Sequence, residues 1–169
     1  YQLEQFDKFR ASTKNIRTDL FLEICSICYL EYQKALKENH CIDFQDMINE
    51  SADIIHKRLI SRDLLDFKYI IVDEYQDISR QRYNLIRELS QLCHAKIVAV
   101  GDDWQSIYAF SGSILPLFTR FSQEVSYAQE LKITHTYRNA QEIIDIAGTF
   151  IQKNSNQIKK KLISPKRIS

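Results

Sequence analysis

The sequence predicts an α/β fold with parallel strands, preceded by a helical segment, on three observations. Two short apolar runs, YIIV from Tyr69 and KIVAV from Lys96, have the length and composition of buried strands. Residues 80 to 93 between them place Leu85, Ile86, Leu89, Leu92 and Cys93 at helical spacing. Before residue 66 the pattern is helical throughout. Strands joined through a helix need a crossover far longer than a hairpin, so they are expected to run parallel, with a right-handed crossover. Their carboxyl ends then lie on one edge of the sheet.

Taken in order, the first three helices are expected near residues 3 to 11, 18 to 38 and 43 to 60. The third has Asp43 as a cap and Phe44, Met47, Ile48, Ile55 and Leu59 on one face. After the β-α-β unit, Ile114 to Phe121 reads as a short helix interrupted by Pro116, and Leu131 to Thr134 as a strand. A last helix is expected to start at Asn139, with Glu142 three residues on completing a capping box. Ile143, Ile144, Ala147, Phe150 and Ile151 would form its inner side.

With 169 residues, 44% hydrophobic and 27% charged, the chain has the composition of one ordinary globular domain rather than a disordered or fibrous one. No apolar run approaches the ~20 residues of a bilayer helix, so no membrane partner is expected and a cytoplasmic location is the default. Net charge is +1, which excludes a global basic footprint and makes any nucleic-acid contact local. Cys25 and Cys28 form a CxxC, but they lie in an apolar helical run without a second CxxC, so reduced core thiols are expected rather than zinc. Tyr at position 1 and an abrupt tail after KKKLISPKRIS read as an internal piece of a longer protein.

The strand ends carry the chemistry. Asp73-Glu74 follows the first strand and Gly101-Asp102-Asp103 the second, so two acidic clusters face one crevice, where open parallel sheets bind ligands. An adjacent acidic pair can hold Mg²⁺ with one carboxylate and orient or deprotonate water with the other. For "VDE" alone a solvated turn is the commoner outcome. Gln76, Asp77 and Gln105 extend the polar rim and weigh against that. The only glycines are Gly101, Gly112 and Gly148, and none has the spacing of a G-x-x-x-x-G-K-S/T phosphate loop.

"VDEYQD", then "VGDDWQSIYAFSG", then "TYRN" opening a helix, resembles motifs II, III and IV of the UvrD/Rep family of superfamily one DNA helicases. "DFQDMI" upstream is similar to the stretch leading into motif II, and Trp104 with the segment after TYRN resembles the helicase IV subgroup. The resemblance implies a partial RecA-like motor. Residues 1–42 would end an inserted helical subdomain, 43–130 would form the later half of the first motor domain, and 131–169 would start the second. It implies ATP and Mg²⁺ as cofactors and single-stranded DNA as partner. Asp73 would contact the metal and Glu74 would activate water. Gln105, with Gln76 nearby, would sit by the γ-phosphate, and Arg138 would reach that phosphate as an arginine finger. Tyr108 and Phe110, with Trp104 as a further candidate, would stack on bases, at about 1 to 3 kcal/mol per base.

Without the family, Arg138 reads as a surface ion pair, and Tyr108 and Phe110 as core residues as readily as a platform. Lys159, Lys160 and Lys161 read as a solvated basic stretch. Ala109 and Ser111 stand where many relatives carry arginine. Motifs I, Ia, V and VI are absent, so the isolated chain is expected to be inactive. Two other classes fit the residues: a Mg-dependent nuclease using Asp73, Glu74 and Asp102, and a non-catalytic nucleic-acid-binding module.

Overall fold

The computed structural model describes residues 2–125 and 127–168. The chain divides into two compact units, Tyr1–Met47 and Ile48–Ser169.

The first unit is helical. Helix α1 (Gln2–Ser12) leads into α2 (Ile16–Glu38), whose first turn is capped by the side-chain oxygen Oδ1 of Asn15, which accepts from the Arg17 N–H. Arg10 pairs with Asp19 at 2.9 Å, and the rings of Phe6 and Tyr29 lie 6.2 Å apart. None of the described residues of α2 is buried. Leu20, Phe21, Ile24, Ile27 and Leu30 occupy several sides of the helix, and a single neighbouring helix cannot cover them all. The expected core thiols are therefore corrected: Cys25 is half-buried, Cys28 and Cys41 are exposed, and only Cys93 is buried. All four are free, and among the described residues no group of three or more His, Cys, Asp or Glu could hold a metal ion.

Helix α3 (Phe44–His56) starts as expected, with Asp43 Oδ1 accepting from the Asp46 N–H at 2.7 Å. Its expected apolar face is not realised. Phe44 is exposed and Leu59 lies beyond the helix, also exposed, while Ile55 is the residue that enters a core.

The second unit is built on the predicted β-α-β. Strands β1 (Tyr69–Val72) and β2 (Lys96–Ala99) pair in parallel, with Tyr69 opposite Lys96 and Val72 opposite Ala99. Helix α4 (Arg80–Cys93) is capped by the Ser79 hydroxyl and stops at His94 in the left-handed region. The helix separates two cores. Leu92, Cys93 and Ala95 pack with Ile55, and Leu85, Leu89 and Ile70 close around them. Tyr75, Ile78, Tyr83 and Leu117 form the second, joined by Val72, Ile86 and Ala99. One expectation fails here. The apolar runs predict buried strands, yet Tyr69, Ile71 and Val98 point to an uncovered side of a two-stranded sheet.

Helices α5 (Leu115–Thr119) and α6 (Phe121–Glu124) follow. Pro116 opens α5 rather than interrupting it, because the first turn needs no N–H donor there. No strand forms over 131–134: Leu131 and Ile133 are exposed, and the pairing among the described residues is one parallel bridge between His135 and Ile163. Helix α7 (Gln141–Ile151) has Ala140, not Asn139, at its cap. The chain's own tail replaces the capping box. The Gln141 N–H donates to the Lys166 carbonyl at 3.0 Å, and Ser164 Oγ donates to the Asn139 carbonyl at 2.7 Å. Glu142 accepts from the Ile168 N–H instead of from the helix start. Of the expected inner side, Ile144 is buried, whereas Ile143, Ala147 and Phe150 are exposed. Among the described residues no helix is long and apolar enough to cross a membrane.

Candidate functional site

The two strand ends meet as the topology requires. The ladder continues one step past each strand: the Val100 N–H donates to the Val72 carbonyl and the Tyr75 N–H to the Val100 carbonyl, both at 2.9 Å. Between those bonds the chain must turn out of the sheet. Glu74 does so in the left-handed region at φ 49°, ψ 43°, a conformation that costs a non-glycine residue about 1 kcal/mol or more. Asp73 Oδ1 accepts the Glu74 N–H at 2.9 Å, which holds the turn. Both side chains are exposed at the carboxyl edge.

Gln76 lies under them, only 1% exposed. Its Nε2 donates to Glu74 Oε2 at 2.7 Å, and its Oε1 accepts the Asp102 N–H at 3.0 Å. One buried amide thus joins the first strand end to the second. The Asp102 carboxylate then accepts from Gln105 Nε2 at 2.9 Å and from the Trp104 N–H at 3.1 Å. Gly101 makes room for this arrangement, since a Cβ there would stand 2.5 Å from Gln76 Oε1.

Asp102 and Asp103 have a further partner that the sequence reading missed. Lys160 Nζ donates to Asp102 Oδ1 and, at 2.7 Å, to Asp103 Oδ1, and it lies 4.8 Å from the Trp104 ring centroid. Lys160 is therefore not part of a solvated basic run; Lys159 and Lys161 beside it are exposed. Asp103 is 1% exposed and also accepts the Ile158 N–H at 2.6 Å. Burial pushes the Asp102 carboxyl upward, but the hydrogen bonds from Gln105, Lys160 and Trp104 outweigh it, so Asp102 titrates below the usual carboxylate range. The signal for this cluster was the tandem Asp102-Asp103 beside a tryptophan. Its cation lies 57 residues from Asp103, where no local pattern points to it.

Trp104 is turned inward. Its indole N–H donates to the Ile158 carbonyl at 3.2 Å, and its ring abuts Gly148 of α7. Tyr108 and Phe110 are turned outward instead, with ring centroids 5.9 Å apart and Phe110 86% exposed. Their loop makes a 3-10 turn over Ala109–Ser111 and closes at Gly112, whose φ of 91° suits glycine. The Ile114 N–H donates to the Ile78 carbonyl at 2.9 Å, which fastens the loop's base to the core. Arg138 is exposed, forms no ion pair among the described residues, and stands outside the Glu74–Gln76–Asp102–Gln105 chain of bonds.

For metal binding the donor set is small. Asp73 Oδ2 and Glu74 Oε1 have no protein partner among the described residues, which suits an ion that takes one or two carboxylates and fills its shell with water and phosphate oxygens. A three-acid nuclease centre is not assembled, because both oxygens of Asp102 are already engaged by Lys160, Trp104 and Gln105.

Known proteins bear on the same residues. The profile of the UvrD/REP helicase N-terminal domain matches residues 2–126. DNA helicase IV of Escherichia coli is 35% identical over 164 residues, 95% of this chain and 23% of that protein. ATP-dependent DNA helicase PcrA of Leuconostoc citreum is 31% identical over 144 residues, 84% of this chain and 19% of that protein. ATP-dependent DNA helicase UvrD1 of Mycobacterium tuberculosis is 30% identical over 152 residues, 85% of this chain and 20% of the relative. The chain thus spans less than a quarter of the length of these relatives, and the profile covers most of the chain, including both strand ends. It belongs to the UvrD/REP helicase family.

Proposed function

We propose that this chain supplies the metal, water and DNA-coupling side of an ATP-dependent DNA helicase that moves on single-stranded DNA, in the cytoplasm. The observation that carries the reading is the pair of strand ends bound through Gln76: an exposed acidic pair on one and an exposed glutamine on the other, joined by one buried amide. "VDEYQD", "GDDWQSIYAF" and "TYRN" act as motifs II, III and IV. Residues 43–130 form the later half of a first RecA-like motor domain, 131–169 begin a second, and 1–42 end an inserted helical subdomain.

In this reading Asp73 holds the Mg²⁺ of bound ATP, which screens phosphate charge. Glu74 orients a water and takes its proton, and the Gln76 amide keeps that carboxylate aimed. Gln76, buried beside Glu74 and donating to it, serves by positioning that carboxylate next to the nucleotide. Gln105 places its amide by the γ-phosphate, and Arg138 supplies positive charge there. Tyr108 and Phe110 offer stacking faces to bases, and Trp104 anchors their loop from inside. Nothing among the three glycines supplies a phosphate loop, so the isolated chain is expected to show no ATPase.

The test is Glu74→Gln in the natural full-length protein. It keeps the hydrogen bond to Gln76 but removes the base, so turnover should fall by about a hundredfold or more while labelled ATP still binds. Near-normal hydrolysis in that variant would overturn the assignment.

A further inference from the structure

Lys160 is held where few lysines are, with its side chain 16% exposed and its ammonium shared between two carboxylates and an indole face. Its two acids differ. Asp103 is sealed in, accepting from Lys160 with one oxygen and from the Ile158 N–H with the other. An unpaired carboxylate in that place would be strongly disfavoured, so this half of the contact secures residues 157–161 against the turn after β2. Asp102 is only half-buried and makes a different connection. Its Oδ1 takes Lys160 and its Oδ2 takes the Gln105 amide at 2.9 Å, while its own N–H reaches Gln76 and through it Glu74. Gln105 is otherwise exposed, and an exposed glutamine samples several rotamers unless something holds its amide. The cation orients the acid, and the acid orients the amide.

We propose that Lys160 is a positioning residue for Gln105: by fixing Asp102 it presents the Gln105 amide in one orientation, so residues 157–161 govern turnover from outside the reacting centre. The inference rests on the reading of Glu74 and Gln105 given above. A residue that orients a group used in the transition state affects turnover more than ground-state binding. A merely structural lysine has no such preference.

The experiment uses the natural full-length protein with ATP and saturating single-stranded DNA. Lys160→Met should lower kcat about tenfold and leave KM for ATP within about twofold, and Lys160→Arg should restore most of the loss. Combining Lys160→Met with Gln105→Ala should be no slower than Gln105→Ala alone, because both remove the same orienting chain. If Lys160→Met does not fold, Asp102→Asn tests the same chain with the Asp103–Lys160 pair intact, and the same kcat loss and non-additivity are expected. Turnover unchanged in the folded variant, a loss that adds to that of Gln105→Ala, or no rescue by arginine overturns the proposal. Glu74→Gln separates the two levels. An active Glu74→Gln enzyme removes the functional reading itself, whereas an inactive one beside normal turnover in Lys160→Met removes only the role of Lys160.

Discussion

Gly101 shows how much one missing methyl decides. A Cβ at that position would stand 2.5 Å from Gln76 Oε1, 2.9 Å from Phe118 Cε2 and 3.1 Å from the Tyr75 N, and the nearest of these belongs to the amide that joins the strand ends. Gly101→Ala is therefore expected to destabilise the second unit by about 1–3 kcal/mol, as overpacking does, read as a lowered urea midpoint. Asp102 sets a second residue-scale expectation. Its folded carboxyl titrates below the ordinary 3.8, so its contribution to stability is complete above that value and is lost as pH falls through the folded one. Urea midpoints of wild type and Asp102→Asn, followed by circular dichroism, should differ fully at neutral pH and converge as pH falls below that value. From the sequence, the position of Asp73, Glu74 and Gln105 beside the two strand ends was legible, because acids and amides directly follow the apolar runs. Gln76 as a buried strut and Lys160 as the partner of two acids were not, since burial and long-range pairing leave no local mark.

At the scale of elements, periodicity succeeded where a segment packs by its own pattern. Strands β1 and β2 and helix α4 lie where predicted because Leu85, Leu89, Leu92 and Cys93 serve one core and Ile86 the other, at helical spacing. It fails at α7, where Asn139 and Glu142 carry the local start signal but Ala140 is the cap. The real cap is tertiary, supplied by residues 163–168, which a local window cannot contain. Ser164 is the sharpest case: buried, it donates to the Asn139 carbonyl at 2.7 Å and accepts from the Lys166 N–H at 3.1 Å. Ser164→Ala leaves both groups short of a partner and should cost about 1–3 kcal/mol. Hydrogen exchange should then quicken in the first turn of α7 before it does in α4.

For the molecule as a whole, the dominant fact is uncovered apolar surface. It lies along α2 at Leu20, Phe21 and Ile24, on the open face of the sheet at Tyr69 and Ile71, and on α7 at Ile146 and Phe150. Isolated apolar residues are ordinary, but runs on three elements together with open strand edges favour association. The chain on its own should therefore self-associate as concentration rises, seen as increasing light scattering. Phe21→Glu with Ile71→Lys should reduce it, and scattering unchanged by these charges would place the sticky surface elsewhere.

One feature of the seam makes it observable without any label. Trp104 is the only tryptophan in the sequence, and it sits with its N–H on the Ile158 carbonyl, its ring under the Lys160 ammonium and its edge on Gly148. The tryptophan emission of this chain, excited where tyrosine does not absorb, is thus a single-site reporter of whether residues 157–161 are docked against the turn after β2, and undocking would expose the indole to water and move its emission to the red.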